Sequence, residues 1–410
     1  MNDVSLFAPF RGERFADPTS LERRLAPPYD VIAPAQRADL VARDPYNIVN
    51  VDLPVAADGG DPYAEAARLL HDWRAGGVIA RDAEPSAYVL RTSGRFPDGS
   101  VRERTGVFLA VSAEPFAEGR ILPHERTHAE AKEDRRRLMH ATGANLSAVF
   151  LLAPDGSATL SRALQQATSR PPWAQCSALG AEQAVWVVTG QEAERLAAAA
   201  GAESVYVADG HHRFETSVMF RGEAPAAWRA GAARTLSYVV SFKDPGLVIL
   251  PTHRMLEGAP VDADAFLAAA APYFVTAPTR TEPTLSVVFK GGREVALLVR
   301  PDAKWPKVQD KPLHPAVRAL EVAAADTLAV GIVAASLLGG VPALRYTAEA
   351  AEAREAARQG RCACALMLPS TRLEAVRKVA DAGQIMPPKS TFFAPKVPTG
   401  IVLRPFEAAT

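Results

Sequence analysis

The sequence predicts a mixed α+β fold with two lobes. The chain has 410 residues, which exceeds the size at which one hydrophobic core usually stops growing. Segments with strand alternation interleave with segments of helical periodicity. Several neighbouring strands are joined by short turns, which favours hairpins in mixed sheets over a doubly wound parallel sheet. We therefore expect one lobe over residues 1–230 and a second over residues 231–410.

The strands of the first lobe are read from apolar runs and turn signals. Residues 86–94 and 102–112 alternate and flank Pro97-Asp98-Gly99, a turn signal that predicts a hairpin. Short apolar runs rich in β-branched residues and bounded by turn residues predict buried strands. These runs lie at 145–156, 184–190 and 204–210.

The helices are read from apolar residues three and four positions apart. Residues 65–78 have this spacing and end in Gly76-Gly77, and residues 191–201 follow the same pattern. In the second lobe, residues 284–300 predict a hairpin around Gly291-Gly292. Residues 316–340 contain helical material, and residues 371–383 predict a helix that ends at Gly383.

Composition excludes several classes of protein. The formal net charge is zero, so no global field would attract nucleic acid or an anionic membrane. The first residues lack the basic start and apolar core of a signal peptide, and no uncharged apolar run reaches about 20 residues. Three cysteines with no metal-binding spacing fit a reducing compartment. We expect a soluble cytoplasmic protein.

Polar residues are concentrated in four stretches that packing does not explain. They are LAPPYDVI (25–32), ILPHERTHAEAKEDRRRL (121–138), VADGHHRFET (207–216) and QIMPPKSTFFAPK (384–396).

The third stretch follows a predicted strand and opens a predicted helix. We expect Asp209 to cap that helix and Gly210 to let the backbone approach a ligand. His211, His212 and Arg213 then lie in the first turn, where free N–H groups and the helix dipole favour anions. Cationic side chains at a helix N-terminus are unfavourable unless an anion binds between them. The planar guanidinium of Arg213 could donate two parallel hydrogen bonds to phosphate oxygens. A plain capped turn, or a metal site using Asp209 and one histidine, are the alternatives.

The second stretch predicts a helix that begins near Pro123. On such a helix His124 and His128 are four residues apart on one face, with Glu125 beside them. Two imidazoles so placed can share a metal ion. The alternative is a solvated helix with ion pairs between neighbouring turns.

Two further stretches carry candidate ligand-binding residues. His253 and Arg254 follow a predicted strand and could bind a ligand. An equally good interpretation is that His253 is a loop histidine hydrogen-bonded to the backbone. Lys389 and Ser390 lie in a proline-stiffened loop whose residue types suit phosphate. The sequence contains neither Walker A spacing nor the Gly-x-Gly-x-x-Gly pattern of dinucleotide-binding folds.

Five of these motifs, in this order, resemble the uncharacterised prokaryotic domain-of-unknown-function family numbered ten-fifteen. They are LAPPYDVI, ILPHERTHAEAKEDR, VADGHHRFET, DPGLVILPTHRML and MPPKSTFFAPK. A shorter resemblance links ADGHHR to the phosphate-binding box of the ParB/sulfiredoxin superfamily, which includes free-serine kinases. That resemblance implies a ParB/sulfiredoxin-like core around the box. It also implies that residues 210–213 hold phosphates, with Asp209 near the substrate or a Mg²⁺ ion. No Cys follows the Gly of the box, so thiol repair chemistry is not expected.

Three functions compete for these residues. The first is a kinase that uses ATP, another nucleoside triphosphate or ADP, with Mg²⁺, to phosphorylate a small hydroxyl compound such as free serine. The second is a metal-dependent hydrolase or phosphatase built on the His and Asp residues. The third is a nucleotide-binding regulator without turnover. A homodimer is compatible with each.

The kinase hypothesis assigns a role to each candidate residue. The catalytic candidates are Glu125, then Asp30, and Asp209, which is also the metal candidate. The nucleotide-binding candidates are Gly210, His211, His212, Arg213, Lys389 and Ser390. The substrate-binding candidates are Tyr29, His124, His128, His253 and Arg254.

Overall fold

The computed structural model describes residues 5–56, 59–96, 98–127, 129–278, 284–308 and 311–406. The chain divides into two compact units. The first consists of Met1–Val248 together with Pro395–Thr410, and the second is Ile249–Ala394. The second unit therefore interrupts the first in sequence. The predicted boundary at 230/231 precedes the strand Arg234–Ser241, which pairs inside the large sheet of the first unit.

A nine-stranded mixed sheet organises the described part of the first unit. The hairpin predicted around residues 97–99 is confirmed, because Ser86–Arg95 pairs antiparallel with Val101–Ser112. Parallel pairing occurs where Arg234–Ser241 runs beside Val149–Ala153. The order across the sheet is Ile121–Leu122, Val205–Asp209, Val149–Ala153, Arg234–Ser241, Val101–Ser112, Ser86–Arg95, Ala181–Thr189 and Ala174–Ala178, with Phe7–Ala8 paired to Val101–Ser112.

Helices pack against this sheet, and two short strand pairs form separate small sheets. The helix that runs to Ala75 ends before Gly76 as predicted, and it begins at Pro62 with Asp61 as its cap. The α-helices of this unit are Leu21–Arg24, Pro34–Arg43, Val49–Asp52, Pro62–Ala75, Ala129–Thr142, Thr159–Ala167, Gly190–Ala200, His211–Glu223 and Arg229–Ala232. The short pairs are Glu13–Phe15 with Ile79–Arg81, and Ala144–Asn145 with Arg404–Pro405.

The strand Val205–Asp209 explains how the first unit positions its polar residues. Val205 and Val207 are fully buried and pack in a core with Leu151 and Phe214. The strand runs parallel to Ile121–Leu122 and antiparallel to Val149–Ala153. Its pairing register shifts between Val207 and Asp209, as in a β-bulge. Bulges re-aim side chains, and this one precedes the polar turn at residues 209–213.

The second unit is built on an antiparallel six-stranded sheet within its described residues. The predicted hairpin around Gly291-Gly292 is confirmed by the pairing of Ser286–Val288 with Glu294–Val299. The order across the sheet is Phe274–Pro278, Glu294–Val299, Ser286–Val288, Cys364–Met367, His253–Leu256 and Leu344–Thr347. Short strands of this unit are Lys307–Val308, Lys311–Pro312 and Phe392–Ala394, and the strand Val248–Leu250 begins one residue before it.

Helices pack on this second sheet. The α-helices are Ala263–Ala270, Pro315–Arg318, Glu321–Ala323, Ala335–Leu338, Ala350–Arg358 and Leu373–Asp381. A π-helical segment, Ala324–Ala334, lies within the predicted helical region 316–340. The stretch Glu321–Leu338 is long and apolar enough to cross a membrane, yet half of it is buried. Leu328 and Val333 of this stretch pack in the core of the second unit.

Candidate functional site

The turn between Val205–Asp209 and His211–Glu223 depends on a glycine. Gly210 has a φ of 89°, in the left-handed region. A Cβ at this position would lie 2.9 Å from the Nε atom of Arg213. The prediction that Asp209 caps the helix is wrong. The N-cap residue is Gly210, which has no side chain to accept hydrogen bonds from the first N–H groups of the helix.

Asp209 instead forms two ion pairs. One carboxylate oxygen accepts a hydrogen bond from Lys396 Nζ at 2.9 Å, and the other accepts one from Arg213 Nη2 at 2.9 Å. Burial alone would raise the pKa of Asp209, but the charges of Lys396 and Arg213 outweigh burial and lower that pKa to about 2. The carboxylate is therefore ionised at neutral pH and keeps both cations in place.

Arg213 lies almost completely buried behind this pair, with 7% of its side chain exposed. A second nitrogen of its guanidinium, Nη1, donates to the carbonyl of Ala148. Burial opposes the charged form, but the carboxylates of Asp30 and Asp209 raise the pKa of Arg213 above its ordinary value. Two arms of the predicted phosphate fork are thus directed to protein acceptors, and Arg213 holds Asp209 at the start of the helix.

The two buried histidines contact each other beside this turn. The backbone N–H of His124 donates to Nε2 of His211 at 3.3 Å, and their rings meet edge to face with centroids 4.7 Å apart. Burial lowers the pKa of His124 to about 4 and lowers the pKa of His211 well below its ordinary value. Both rings are neutral at pH 7. The predicted clash between histidine cations and the helix dipole therefore does not arise.

Glu125 stands next to His211 at the edge of the site. Its carboxylate oxygen lies 3.8 Å from His211 Nδ1, and one third of its side chain is exposed. Glu125 can therefore meet solvent or a ligand, whereas His211 cannot. His212 is half-buried, and its backbone carbonyl accepts a hydrogen bond of 2.7 Å from Thr216.

The prediction of a helix starting near Pro123 is wrong. The helix is Ala129–Thr142, and residues 123–127 form irregular backbone before it. Because His124 gives its N–H to an imidazole and packs inward, the segment does not continue as a helix. His128 lies outside the described residues. Glu215 anchors the segment through the Thr127 hydroxyl and through Lys132, whose Nζ is 3.0 Å away.

The first polar stretch reaches the same part of the unit. The guanidinium carbon of Arg135 lies over the ring of Tyr29, 3.8 Å from the centroid of that ring. Burial raises the pKa of Tyr29 to about 12, so its hydroxyl stays protonated. Asp30 is exposed, and its charge acts on Arg213. Residues of all four polar stretches thus belong to the first unit, since Lys396 is part of it.

His253 and Arg254 form a separate arrangement in the second unit. His253 is buried, its Nδ1 accepts from the N–H of Leu368 at 3.1 Å, and burial lowers its pKa to about 4. Arg254 bonds to Asp326 at 2.9 Å. It also donates to the carbonyls of Pro388 and Lys389. These contacts tie both side chains into this unit, and their assignment to substrate binding stays a prediction.

The loop with Lys389 and Ser390 lies in this unit too. Lys389 is exposed and has a φ of 55°, and the Ser390 hydroxyl donates to the carbonyl of Pro387 at 2.5 Å. Their assignment to nucleotide binding stays a prediction.

Sequence reasoning assigned no role to Lys396, Asp52 or Arg135. Lys396 is the last residue of the polar stretch 384–396, and no local spacing links it to Asp209. Asp52 and Arg135 pair with each other, since Arg135 Nη1 lies 3.3 Å from an oxygen of Asp52. Neither residue lies in a pattern that indicates a buried charge.

The arrangement of the His and Asp side chains bears on the predicted metal site. Among the described residues, no group of three or more His, Cys, Asp or Glu side chains is arranged to hold a metal ion. Asp209 directs its oxygens to Lys396 and Arg213, and His211 Nε2 accepts from the backbone. A role of Asp209 as a metal ligand stays a prediction.

The fold and the site define a mixed α+β protein with a buried charge cluster at a strand-to-helix turn. Within that class, the chain belongs to the family described as protein of unknown function, DUF1015, whose signature matches residues 7–323. No curated protein matches the sequence.

Several solved structures resemble the chain at low identity. A conserved hypothetical protein from Pyrococcus furiosus has a TM-score of 0.35 and 13% identity, with 72% of this chain and 93% of that chain covered. A free serine kinase in complex with AMP has a TM-score of 0.35 and 13% identity, with 70% and 87% covered. SbnI with a C-terminal truncation, from Staphylococcus aureus, has a TM-score of 0.35 and 11% identity, with 72% and 81% covered. These low scores transfer no residue role to this chain.

Proposed function

We propose that this protein is a nucleotide-dependent phosphotransferase, a kinase that uses ATP or ADP to phosphorylate a small hydroxyl compound. The observation that carries the proposal is the cluster of Lys396, Asp209 and Arg213 at the start of the helix His211–Glu223, with Glu125 beside it. Lys396, Asp209 and Arg213 by themselves sum to one positive charge, and they lie at the helix end where backbone N–H groups point. Phosphate oxygens are the ligands that this combination attracts.

Phosphoryl transfer depends mainly on positioning the nucleotide and the acceptor and on neutralising the charge of the transferred phosphoryl group. The hydroxyl oxygen of the acceptor attacks the terminal phosphorus, and the bond from that phosphorus to the leaving oxygen of the nucleotide breaks. The hydroxyl proton passes to the carboxylate of Glu125, which is partly exposed and can reach a substrate. Asp30, exposed and close enough to influence Arg213, is the second candidate for this base.

Magnesium fits this proposal as a companion of the nucleotide. The oxygens of Asp209 already accept hydrogen bonds from two cations, so Asp209 fits as their partner better than as a direct metal ligand. Mg²⁺ bound to the phosphates would neutralise charge on the transferred group. Within the protein, Lys396 supplies positive charge close to the helix start.

A metal-dependent hydrolase is supported less well by the same residues. It needs His124, His211 and Asp209 to offer lone pairs to one ion. His211 Nε2 accepts from a backbone N–H, and Asp209 is held by two cations. We therefore retain the kinase as the proposed function, and free serine is one acceptor to be tested among several.

The experiment measures nucleotide binding and turnover in the same preparation. Calorimetric titration with ATP and with ADP is followed by an assay of AMP or ADP release across a panel of amino acids and polyols. Glu125→Gln should keep nucleotide affinity within about twofold and lose roughly 100-fold or more in turnover. Glu130→Gln, an exposed carboxylate on the following helix, is the matched control and should turn over normally.

Two outcomes would overturn the kinase proposal. If the unaltered protein binds neither nucleotide, the phosphate site is wrong. If it binds nucleotide but releases no product with any acceptor, the protein is a nucleotide-binding regulator. Full turnover in Glu125→Gln would remove Glu125 as the base.

A further inference from the structure

The ring of His211 meets a different group at each of its two nitrogens. Nε2 accepts a hydrogen bond from the backbone N–H of His124 at 3.3 Å. Nδ1 lies 3.8 Å from a carboxylate oxygen of Glu125, and only 2% of the His211 side chain is exposed. These two contacts decide which nitrogen of the ring carries a hydrogen.

The hydrogen of the His211 ring is on Nδ1. A backbone N–H can only donate, so Nε2, which accepts from it, carries no hydrogen. An imidazole with one bare nitrogen is neutral and has its hydrogen on the other nitrogen. Burial acts in the same direction, because it lowers the pKa of His211 well below its ordinary value. The nitrogen beside Glu125 is therefore a hydrogen-bond donor.

His124 fixes the orientation of this ring. The two rings meet edge to face at 88°, with centroids 4.7 Å apart. His124 is itself buried, and its ring bonds to the backbone of Val207. A flip of the His211 ring would turn a C–H toward the N–H of His124 and leave that buried N–H without an acceptor, which is costly. Nδ1 is thus held on the side where Glu125 lies.

Glu125 is the carboxylate placed to accept from Nδ1. Asp209 also acts on His211, but its oxygens accept from Lys396 and Arg213. The 3.8 Å between Glu125 and Nδ1 exceeds the length of an N–H···O hydrogen bond, about 2.7–3.2 Å. Hydrogen bonds of catalytic groups are often long before substrate binds and shorten in the reactive complex. One third of the Glu125 side chain is exposed, so a rotation of its carboxylate closes this distance.

We propose that His211 is a positioning residue that holds the carboxylate of Glu125 through its Nδ1–H. A hydrogen bond to a carboxylate favours the ionised form, which is the form that takes the proton of a hydroxyl substrate. The bond occupies one carboxylate oxygen and leaves the other for that hydroxyl. His211 does not touch the substrate and acts only through Glu125. The contact stands without the proposed function, whereas its effect on turnover rests on it.

The contact is tested first without nucleotide, by nuclear magnetic resonance of the full chain labelled with ¹⁵N-histidine. The ring nitrogens report which of them carries the hydrogen, and the His211 signals are assigned through nuclear Overhauser contacts with the His124 ring. We expect the Nδ1–H form at pH 7. Glu125→Ala should move the Nδ1 signal, whereas Glu130→Ala, which removes an exposed carboxylate of the next helix, should not. An Nε2–H form, or an unmoved signal in Glu125→Ala, would overturn the proposal.

Two substitutions of His211 separate positioning from a structural role. His211→Asn keeps an N–H donor near the place of Nδ1, and His211→Gln keeps an acceptor near Nε2 but loses that donor. We expect kcat to fall roughly tenfold or more in His211→Gln and to recover to within about threefold in His211→Asn. Stability should follow the opposite order, because in His211→Asn the N–H of His124 loses its acceptor. An equal loss of kcat in both variants would overturn the positioning role.

Nucleotide affinity and a second histidine provide the controls. The nucleotide Kd should stay within about twofold in both His211 variants, because the buried ring meets no ligand. His140→Gln is the matched control, since Nε2 of His140 lies 3.4 Å from the carboxylate of Glu223, at the other end of the helix His211–Glu223. This variant should keep its kcat. If neither His211 variant folds, the spectra of the unaltered protein and of Glu125→Ala decide.

The same measurements separate this proposal from the proposed function. An Nδ1–H form that responds to Glu125→Ala, in a protein that turns over no acceptor, supports the contact and removes the kinase. Turnover by an unaltered protein whose His211 carries its hydrogen on Nε2 removes the positioning proposal alone.

Discussion

The ammonium of Lys396 lies 2.9 Å from a carboxylate oxygen of Asp209, and the two residues are 187 positions apart in sequence. This contact brings a cation from the segment that follows the second unit to the start of the helix His211–Glu223. Asp209 is thereby held between Lys396 and Arg213. The charge at the candidate phosphate site depends on both cations.

Lys396→Ala should weaken ADP and ATP binding by about tenfold or more. The substitution removes one of the two cations on Asp209 and the positive charge left over for phosphate. Lys243→Ala is the control, because Lys243 is exposed and its ammonium donates to the carbonyl of Gly156 at 2.7 Å, away from Asp209. Calorimetric titration checks both variants. Equal nucleotide affinity in Lys396→Ala and the unaltered protein would contradict the assignment.

Gly210→Ala should destabilise the first unit by roughly 2 kcal/mol or more. A left-handed φ costs an L residue about 1–2 kcal/mol, and the new Cβ would also press on Arg213. Gly222→Ala, at the other end of the same helix, meets no atom within 4 Å and should be neutral or stabilising by up to about 1 kcal/mol. Denaturant unfolding measures both changes, and similar free energies for the two variants would refute the argument.

The buried histidines predict a loss of stability in mild acid. His124 has a pKa of about 4 in the fold and about 6.5 when unfolded, so the unfolded chain binds more protons between these values. Stability is therefore complete above pH 6.5 and falls as pH decreases toward 4, by up to about 3 kcal/mol for this residue. His211 acts in the same direction.

His124→Gln tests this pH dependence. It removes one titrating group, so the free energy of unfolding should vary with pH less steeply between 6.5 and 4. Asp209 stabilises the fold over a separate pH range. Its pKa is about 2 in the fold and about 3.9 when unfolded, so its contribution to the free energy of unfolding is lost only as pH falls from about 4 toward 2. Unfolding in urea at several pH values provides the measurement. An unchanged slope in His124→Gln would show that His124 is not buried in its neutral form.

Glu215→Gln should lower turnover without changing nucleotide affinity. Glu215 fixes the segment before the helix Ala129–Thr142 through Thr127 and Lys132, and that segment carries Glu125. If the Glu125 carboxylate is less firmly positioned, kcat should fall by roughly tenfold. Nucleotide affinity should not change, because Lys396 and Asp209 keep their contacts. Separate measurement of kcat and of the nucleotide Kd checks this. A parallel loss of both would indicate general unfolding of the site.

Local periodicity predicted much of the fold. The hairpins at residues 86–112 and 284–300 and the helix before Gly76 follow from alternation, helical spacing and turn residues, and the structure confirms them. The strand-to-helix turn at Gly210 also follows from its residues. Each of these features is decided by neighbours along the chain.

Long-range contacts explain what local reasoning did not predict. His124 looked helical, but its N–H is taken by His211, 87 residues away. Asp209 looked like a cap, but its carboxylate is drawn to Lys396 and Arg213. The π-helical segment Ala324–Ala334 has the composition of an ordinary α-helix. His211 and Lys396 are brought to His124 and Asp209 by the tertiary fold, so no local window of sequence contains these two contacts.

The interruption of the first unit by the second has a consequence for biosynthesis. Residues 395–410 belong with Met1–Val248, and Arg404–Pro405 pairs with Ala144–Asn145. During translation the amino-terminal body therefore waits for a segment made after the whole intervening unit has emerged from the ribosome. Lys396 arrives in that later segment, so Asp209 and Arg213 first meet their third charge only after the whole second unit has been synthesised.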